Sequence, residues 1–533
     1  MAYKLLTVSN LEKVFPYVEP KTQSNGTTLA GEPFSFQVVA FAEDSSASGM
    51  ILNVEADIPY ELYKEGYVPA TYTISTVNDG YILPQHGIFP EVLQPTDGSF
   101  NITVGRYVPF WIKANTDKAG DYTFKFKLTY NGEVFAETEY TLKVYSSTLA
   151  DNDLILTNWM HYDGIAHQTE TEVFSEEFYS ATENYVKCAA EHGQTMLYIP
   201  MVTPALDTAV GTERLTVQAV GVTYIDGKYT FDFTNFDRII SIAQKYGIKY
   251  FELSHLFTQW GAEFCPKVVA TTVDGVKKIF GWETSSEGKE YTEFLTAFLP
   301  SLQNHTDELG ITDNCLLHLS DEPHETHLER YGRLKQTVKA LAPKYKLIDA
   351  LSDYGFYEKG YVEHPFVCLG AEKPFVENNA DFWVYYCCGP HHSNYTNRFF
   401  IMPFLRVRIL GIQLYLNNIK GFLHWGFNFY NSQYSKRQIN PYYEADADGA
   451  FPAGDSFLVY PSKDGRVFSS TRLEALSNGI NDYRALRALE NKMGRDSVIK
   501  LLNDCGYKCN FTEYDTSDEN YFALRNKINE LLG

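Results

Sequence analysis

The chain has 533 residues, 44% of them hydrophobic, enough for three or four domains with buried cores and far from the composition of a disordered polymer. Its 45 Lys and Arg stand against 67 Asp and Glu, a net charge of −22, which argues against nucleic acid or an anionic membrane as partner, since both demand a positive face. No apolar run approaches the about 18 residues of a membrane-spanning helix, so membrane insertion is not expected.

The first residues, MAYKLLTVSNLEKVF, lack a basic stretch followed by an apolar core and a small-residue cleavage site, so a cytoplasmic location is expected. Aromatic residues make up 15% of the chain, which suits large β cores and also sugar clefts, where rings stack on the C–H faces of pyranoses. The eight cysteines (188, 265, 315, 368, 387, 388, 505 and 509) form no CxxC pair and read as reduced core thiols.

In chain order, residues 1–148 alternate apolar and polar positions between Gly, Pro, Asn and Asp breaks. Strands are predicted at 34–41, 50–54 and 107–114, and a hairpin turns at Asn131-Gly132. Tyr122, Phe124, Phe126, Leu128 and Tyr130 share one face before that turn, and Tyr140, Leu142 and Val144 share one after it. The pattern predicts an N-terminal β-sandwich.

After residue 150, short apolar runs alternate with amphipathic stretches. Strands are predicted at 154–159, 196–202, 250–257, 315–320, 347–351, 366–369, 382–387 and 422–427, with helices near 175–192, 234–246, 290–309, 324–341 and 398–417. Eight such units predict a central (β/α)8 TIM-barrel catalytic domain over 149–493. Two insertions follow strands: a hairpin turning at Asp226-Gly227, and a polar stretch over 431–455. Residues 494–533 are expected to form a short C-terminal helical cap. The fold class is thus multidomain α+β.

The segment NCLLHLSDEPHETH (314–327) runs an apolar strand straight into Asp321 and Glu322. At the C-terminal end of the fourth barrel strand, two adjacent carboxyl groups in a partly dry site repel, and one keeps its proton. A general acid beside an anion is what cleavage of a glycosidic bond requires. Asp321 ahead of Pro323 equally fits a helix N-cap, which would leave a glycan-binding protein without catalysis. His318, His324 and His327 lack the spacing of a metal-binding helix, so no metal is expected. Trp159, His255, Trp383, Tyr385, Trp425 and Asn428 fall at or near strand ends around the same mouth and are candidate substrate-binding residues.

HLSDEP, FWVYYCCGP, GFLHWGFNFYN and GDSFLVYP, with HLFTQWGA and RLEALSNGINDYRALRALE, resemble the catalytic domain of glycoside hydrolase family 123 and its relatives. The resemblance covers essentially the whole chain. It implies a retaining exo-β-N-acetylgalactosaminidase acting on an oligosaccharide or glycoconjugate through the substrate's own 2-acetamido group. It also implies Glu322 as general acid and base, Asp321 as the group that orients the acetamide, and no cofactor. The alternative is a barrel glycosidase of the same fold acting on another sugar, such as β-GlcNAc. Trp383 and Trp425 are expected to line the subsite of the non-reducing sugar.

Overall fold

The structure is a computed structural model and describes residues 2–71, 79–82, 84 and 86–533. The N-terminal region forms two five-stranded sheets. One orders Tyr3–Ser9, Phe34–Ala42, Tyr107–Ala114, Tyr60–Ala70 and Gly87–Pro95. The other orders Asn25–Leu29, Glu133–Tyr145, Gly120–Tyr130, Ala47–Glu55 and Ser99–Ile102. Along Gly120–Tyr130, buried Phe124, Phe126 and Leu128 alternate with exposed Lys125 and Lys127, the period-two pattern of a strand wet on one face. Phe36 of the first sheet stacks on Tyr140 of the second at 3.9 Å, so the two sheets share one apolar core. Asn131 and Gly132 take φ angles of 49° and 83°, as a tight hairpin turn needs.

Eight parallel strands follow: Ile155–Asn158, Met196–Ile199, Tyr250–Leu253, Cys315–His318, Lys346–Leu351, His364–Cys368, Trp383–Tyr385 and Gly421–His424. All eight coincide with predicted strands. The ladder runs from the first strand to the eighth and back round to the second. Between the first and second strands, side chains stand in for part of a ladder: Leu156 N–H donates to Thr195 Oγ1 (2.9 Å), and Asn158 N–H to Gln194 Oε1 (3.1 Å). The barrel is therefore nearly closed.

Helices over Glu176–Glu191, Thr234–Lys245, Lys289–Glu308 and Leu328–Leu341 connect the strands much as expected. The helix predicted over 398–417 starts only at Phe404, as Phe404–Arg408 followed by Leu410–Leu416. Pro403 occupies its N-cap and disfavours helical backbone just before it. The hairpin at Asp226-Gly227 joins Gly221–Ile225 to Lys228–Asp232 within a four-stranded sheet completed by Val268–Thr272 and Gly275–Phe280.

Near the C-terminus, helix Thr471–Met493 crosses Leu410–Leu416 at a glycine contact: a Cβ on Gly411 would lie 1.7 Å from the Gly479 carbonyl oxygen. Buried ion pairs lock the parts together. Arg472 meets Glu91 at 2.7 Å, Arg408 meets Asp482 at 2.7 Å, and Arg525 bridges Asp482 (2.8 Å) and Glu32 (2.6 Å). Breaking one such pair would strand a buried charge at a cost of about 3–5 kcal/mol. Of the cysteines, Cys188, Cys265 and Cys315 are buried, whereas Cys388, Cys505 and Cys509 are exposed, so only part of the set consists of core thiols.

Candidate active site

A cavity of about 150 Å³ opens at the C-terminal ends of the barrel strands, walled by Trp159, Tyr385, Leu423 and Trp425 and rimmed by Gln259, Trp260 and Phe451. Asp207, Asp321, Glu322 and Asp455 are the four acidic residues among its lining. A larger cavity of about 270 Å³ lies at the opposite ends of the strands, against the N-terminal sheets, where Lys113 and Glu474 pair at 3.2 Å.

Strand Cys315–His318 leads through Leu319 and Ser320 to the acidic pair. The helix that follows begins only at Leu328, after a 3-10 turn capped by His324, whose ring nitrogen accepts from Thr326 N–H. Asp321 therefore does not cap a helix; it lines the cavity. Glu322 has a left-handed backbone, with φ of 45°, and its N–H donates to the Ala350 carbonyl at 3.0 Å. The Tyr385 hydroxyl donates to Glu322 Oε1 at 2.8 Å, which fixes the carboxyl group's direction. Burial, then the adjacent Glu322 charge, holds the Tyr385 phenol well above its ordinary value, so it serves as a donor throughout neutral pH. Burial, with Glu322 and Asp349 nearby, also pushes the Asp321 carboxyl well above the usual carboxylate range.

Beneath the pair lies a fully buried chain of polar groups. Glu252 Oε1 accepts from Trp159 Nε1 (2.7 Å) and from His318 Nε2 (2.5 Å). His318 Nδ1 lies 3.9 Å from Asp349 Oδ1, and Asp349 Oδ2 accepts from Tyr331 (2.7 Å) and from Ser320 N–H (3.1 Å). Burial alone would discharge His318, yet Asp349 and Glu252 outweigh it and raise the imidazole to about 9. His255 stacks on that ring at 4.3 Å and contacts the Tyr198 hydroxyl through Nδ1 at 3.0 Å; burial and His318 hold it well below 6.5.

Asp455, from the polar stretch after the eighth strand, accepts from Trp425 Nε1 and from His424 Nε2, both at 3.1 Å. Gly426 N–H donates to His424 Nδ1 at 3.0 Å, which puts the ring proton on Nε2, facing the carboxyl group. Burial raises Asp455 to about 7.

The cavity thus gathers Asp321, Glu322, Trp159, Tyr385 and Trp425 from the candidate residues. His255 lies one layer below. Asn428 clamps the backbone of His161, accepting from its N–H (2.8 Å) and donating to its carbonyl (3.0 Å), and is buried behind the wall. Trp383 is not among the lining residues. It faces the barrel interior one layer deeper, stacked on His364 at 5.4 Å. Of the site's parts, Glu252, Asp349, Asp455 and Asp207 were not singled out from the sequence. An isolated acid in an apolar strand, as in YFELSHL or KLIDALS, is the signal that could have marked the first two. Among the described residues no cluster of His, Cys, Asp and Glu has the arrangement of a metal centre.

Parallel barrels carry their chemistry at this end, and an acidic pair between aromatic walls suits the cleavage of glycosidic bonds. The model of the glycoside hydrolase family 123 catalytic domain matches residues 159–489, more than half of the sequence, and the chain belongs to that family. Among solved structures, a family 123 glycoside hydrolase from Clostridium perfringens, studied for glycolipid glycan hydrolysis, covers 100% of this chain and 97% of its own. It has a TM-score of 0.75 at 16% identity, a likeness of fold. A family 39 glycoside hydrolase from Bacteroides cellulosilyticus matches 88% of this chain and 82% of its own at 10% identity, with a TM-score of 0.34. A family 5 xyloglucanase from Bacteroides ovatus matches 86% and 98% at 10% identity, with a TM-score of 0.31. No curated protein matches the chain.

Proposed function

We propose that this glycosidase is a retaining exo-β-N-acetylgalactosaminidase that uses its substrate's 2-acetamido group as the nucleophile. The observation that carries this reading is the adjacency of Asp321 and Glu322 at one strand end, on one cavity. Retaining enzymes with a protein nucleophile hold two carboxyl groups about 5 Å apart across the anomeric carbon. Neighbours in sequence at a single strand end are poorly disposed to reach both faces of the sugar, so the second group is free to serve the acetamide.

In this scheme Glu322, directed by Tyr385, protonates the glycosidic oxygen as the acetamido oxygen attacks the anomeric carbon and the C–O bond breaks. Asp321 accepts the acetamide N–H and stabilises the oxazolinium cation. Glu322 then takes a proton from water, which opens the oxazolinium ring. Burial and the adjacent carboxyl group favour the protonated form of Asp321. An acetamide N–H at Asp321 favours the anion there, as its role in this scheme requires. The rings of Trp159 and Trp425 suit the apolar face of a pyranose.

The same reading takes the barrel as a TIM-type catalytic domain over 149–493, the paired sheets over 1–148 as a supporting sandwich, and 494–533 as a cap. It requires no cofactor. The substrate is a soluble oligosaccharide or glycoconjugate met in the cytoplasm, whereas the Clostridium perfringens relative is described with glycolipid glycans.

Hydrolysis of aryl β-GalNAc, β-GlcNAc and β-Gal glycosides tests this. Turnover of β-GalNAc above the others is expected. Preference for β-GlcNAc would move the assignment to another amino sugar, and turnover of β-Gal would remove the acetamide from the mechanism.

A further inference from the structure

Of the cavity walls, Trp159 is 1% exposed and Tyr385 3%, and Trp425 is half-buried. Trp260, on the rim of the same cavity, is 48% exposed. Its position is built rather than incidental. Trp260, Gly261 and Ala262 take φ angles of 60°, 133° and 53°, a run of left-handed or similarly unusual backbone that side-chain-bearing residues adopt only at a cost. Hydrogen bonds hold that run in place. Trp260 N–H donates to the Asp321 carbonyl at 2.8 Å, and Ser286 Oγ donates to the Ala262 carbonyl at 2.6 Å.

A second loop meets this one. Tyr434, itself at φ of 57°, sets its ring edge-on to Trp260 with centroids 6.0 Å apart and planes at 89°. Asp207 ties the two loops together: its Oδ2 accepts from Tyr434 N–H at 2.9 Å, and its own N–H donates to Gln259 Oε1 at 2.6 Å. Strained loops converge to hold one large apolar ring half in solvent, immediately outside the space reserved for the sugar that is cut. Backbone strain that is over-determined by its surroundings is characteristic of sites that do something.

We propose that Trp260, with Tyr434 beside it, forms an acceptor subsite that stacks on the sugar at the reducing side of the scissile bond. The inference rests on the glycosidase reading of the cavity. A buried pocket encloses the terminal sugar, and the next unit must leave it across the rim. The apolar C–H face of a pyranose is the chemistry that an exposed indole recognises. Because the Trp260 N–H is bonded to the Asp321 carbonyl, a sugar seated on the ring is held in fixed register with the acidic pair. The ligand class is therefore a glycan at least two sugars long, rather than an isolated terminal residue on a small alcohol.

The test compares kcat/KM for a β-linked N-acetylgalactosaminyl-galactose disaccharide with that for the methyl β-glycoside of the same amino sugar. Trp260→Ala should lower the ratio of the two by about tenfold, the scale of one lost stacking contact. Tyr434→Ala should lower it in the same direction, and Trp260→Phe should restore most of it. A ratio unchanged in Trp260→Ala, or a loss spread equally over both substrates, would overturn the subsite. If the unaltered protein cleaves no glycoside, the catalytic reading fails. Calorimetric titration of the disaccharide into the unaltered and Trp260→Ala proteins then still decides, because equal affinity would refute the platform and a weakened variant would uphold it.

Discussion

Glu252→Gln is the most informative single change beneath the site. The substitution keeps an oxygen for Trp159 Nε1 and for His318 Nε2 but removes one of the two anions that hold the imidazolium. His318 is fully buried and sits at about 9 rather than the ordinary 6.5, which corresponds to about 3 kcal/mol favouring the charged ring in the folded state. Its folded value is raised, so this stability is fully present below pH 6.5 and lost as the pH rises through about 9. With one anion gone, burial has fewer opposing charges and the ring should return towards or below its ordinary value. Glu252→Gln should therefore cost about 3 kcal/mol more at pH 6 than at pH 9.5. Urea denaturation of both proteins at pH 6, 7.5 and 9.5 reads the difference directly. Taking the difference also cancels His192, a separate buried imidazole that Glu474 holds at about 10. A penalty that is the same at pH 6 and pH 9.5 would refute the charged-histidine account.

Other substitutions separate roles within the cavity. Glu322→Gln should nearly abolish cleavage of poor leaving groups while sparing activated aryl glycosides, whereas Asp321→Asn should slow both; equal losses across leaving groups would contradict the assignment. Tyr385→Phe removes the hydroxyl that directs Glu322 and should lower kcat about tenfold, measured beside an unchanged melting temperature. Trp425→Ala should weaken binding of a product sugar by about 1–3 kcal/mol, whereas Trp383→Ala should cost about 3–5 kcal/mol of stability, read by denaturation.

The barrel is legible in the sequence because its strands are buried on both faces and appear as short apolar runs, each bounded by helical patterns. What periodicity cannot give is depth. Trp383 and Tyr385 share a face, as alternation requires, but two residues of strand span about 6.6 Å, a whole layer of a packed barrel interior. Tyr385 reaches Glu322 at the mouth; Trp383 stacks on His364, at the start of the neighbouring strand, and fills the layer below. The helix predicted over 398–417 fails for a local reason: apolar residues continue the helical pattern through Pro403, but the backbone ahead of a proline does not.

The acidic pair is legible because the transition from an apolar strand to two carboxylates is abrupt and lies at the end where barrels carry their chemistry. The groups that tune the pair are not, since Glu252, His318 and Asp349 come from three strands and nothing in their sequence spacing brings them together. Each sits inside an apolar run that packing alone would explain. Yet a buried acid without compensation is too costly to be mere core, and the compensation here is incomplete: two carboxyl groups flank one imidazolium, and Glu252 Oε2 and Asp349 Oδ1 accept no hydrogen bond from the described residues. Burial and the adjacent Glu322 do most to raise the Asp321 carboxyl group, and the negative field of Asp349 and Glu252 adds to them against the opposing His318. In the proposed scheme the same field would favour the oxazolinium cation beside Asp321. The acidic pair can be read from two adjacent letters; the charges beneath it belong to residues that, taken one at a time, look like core.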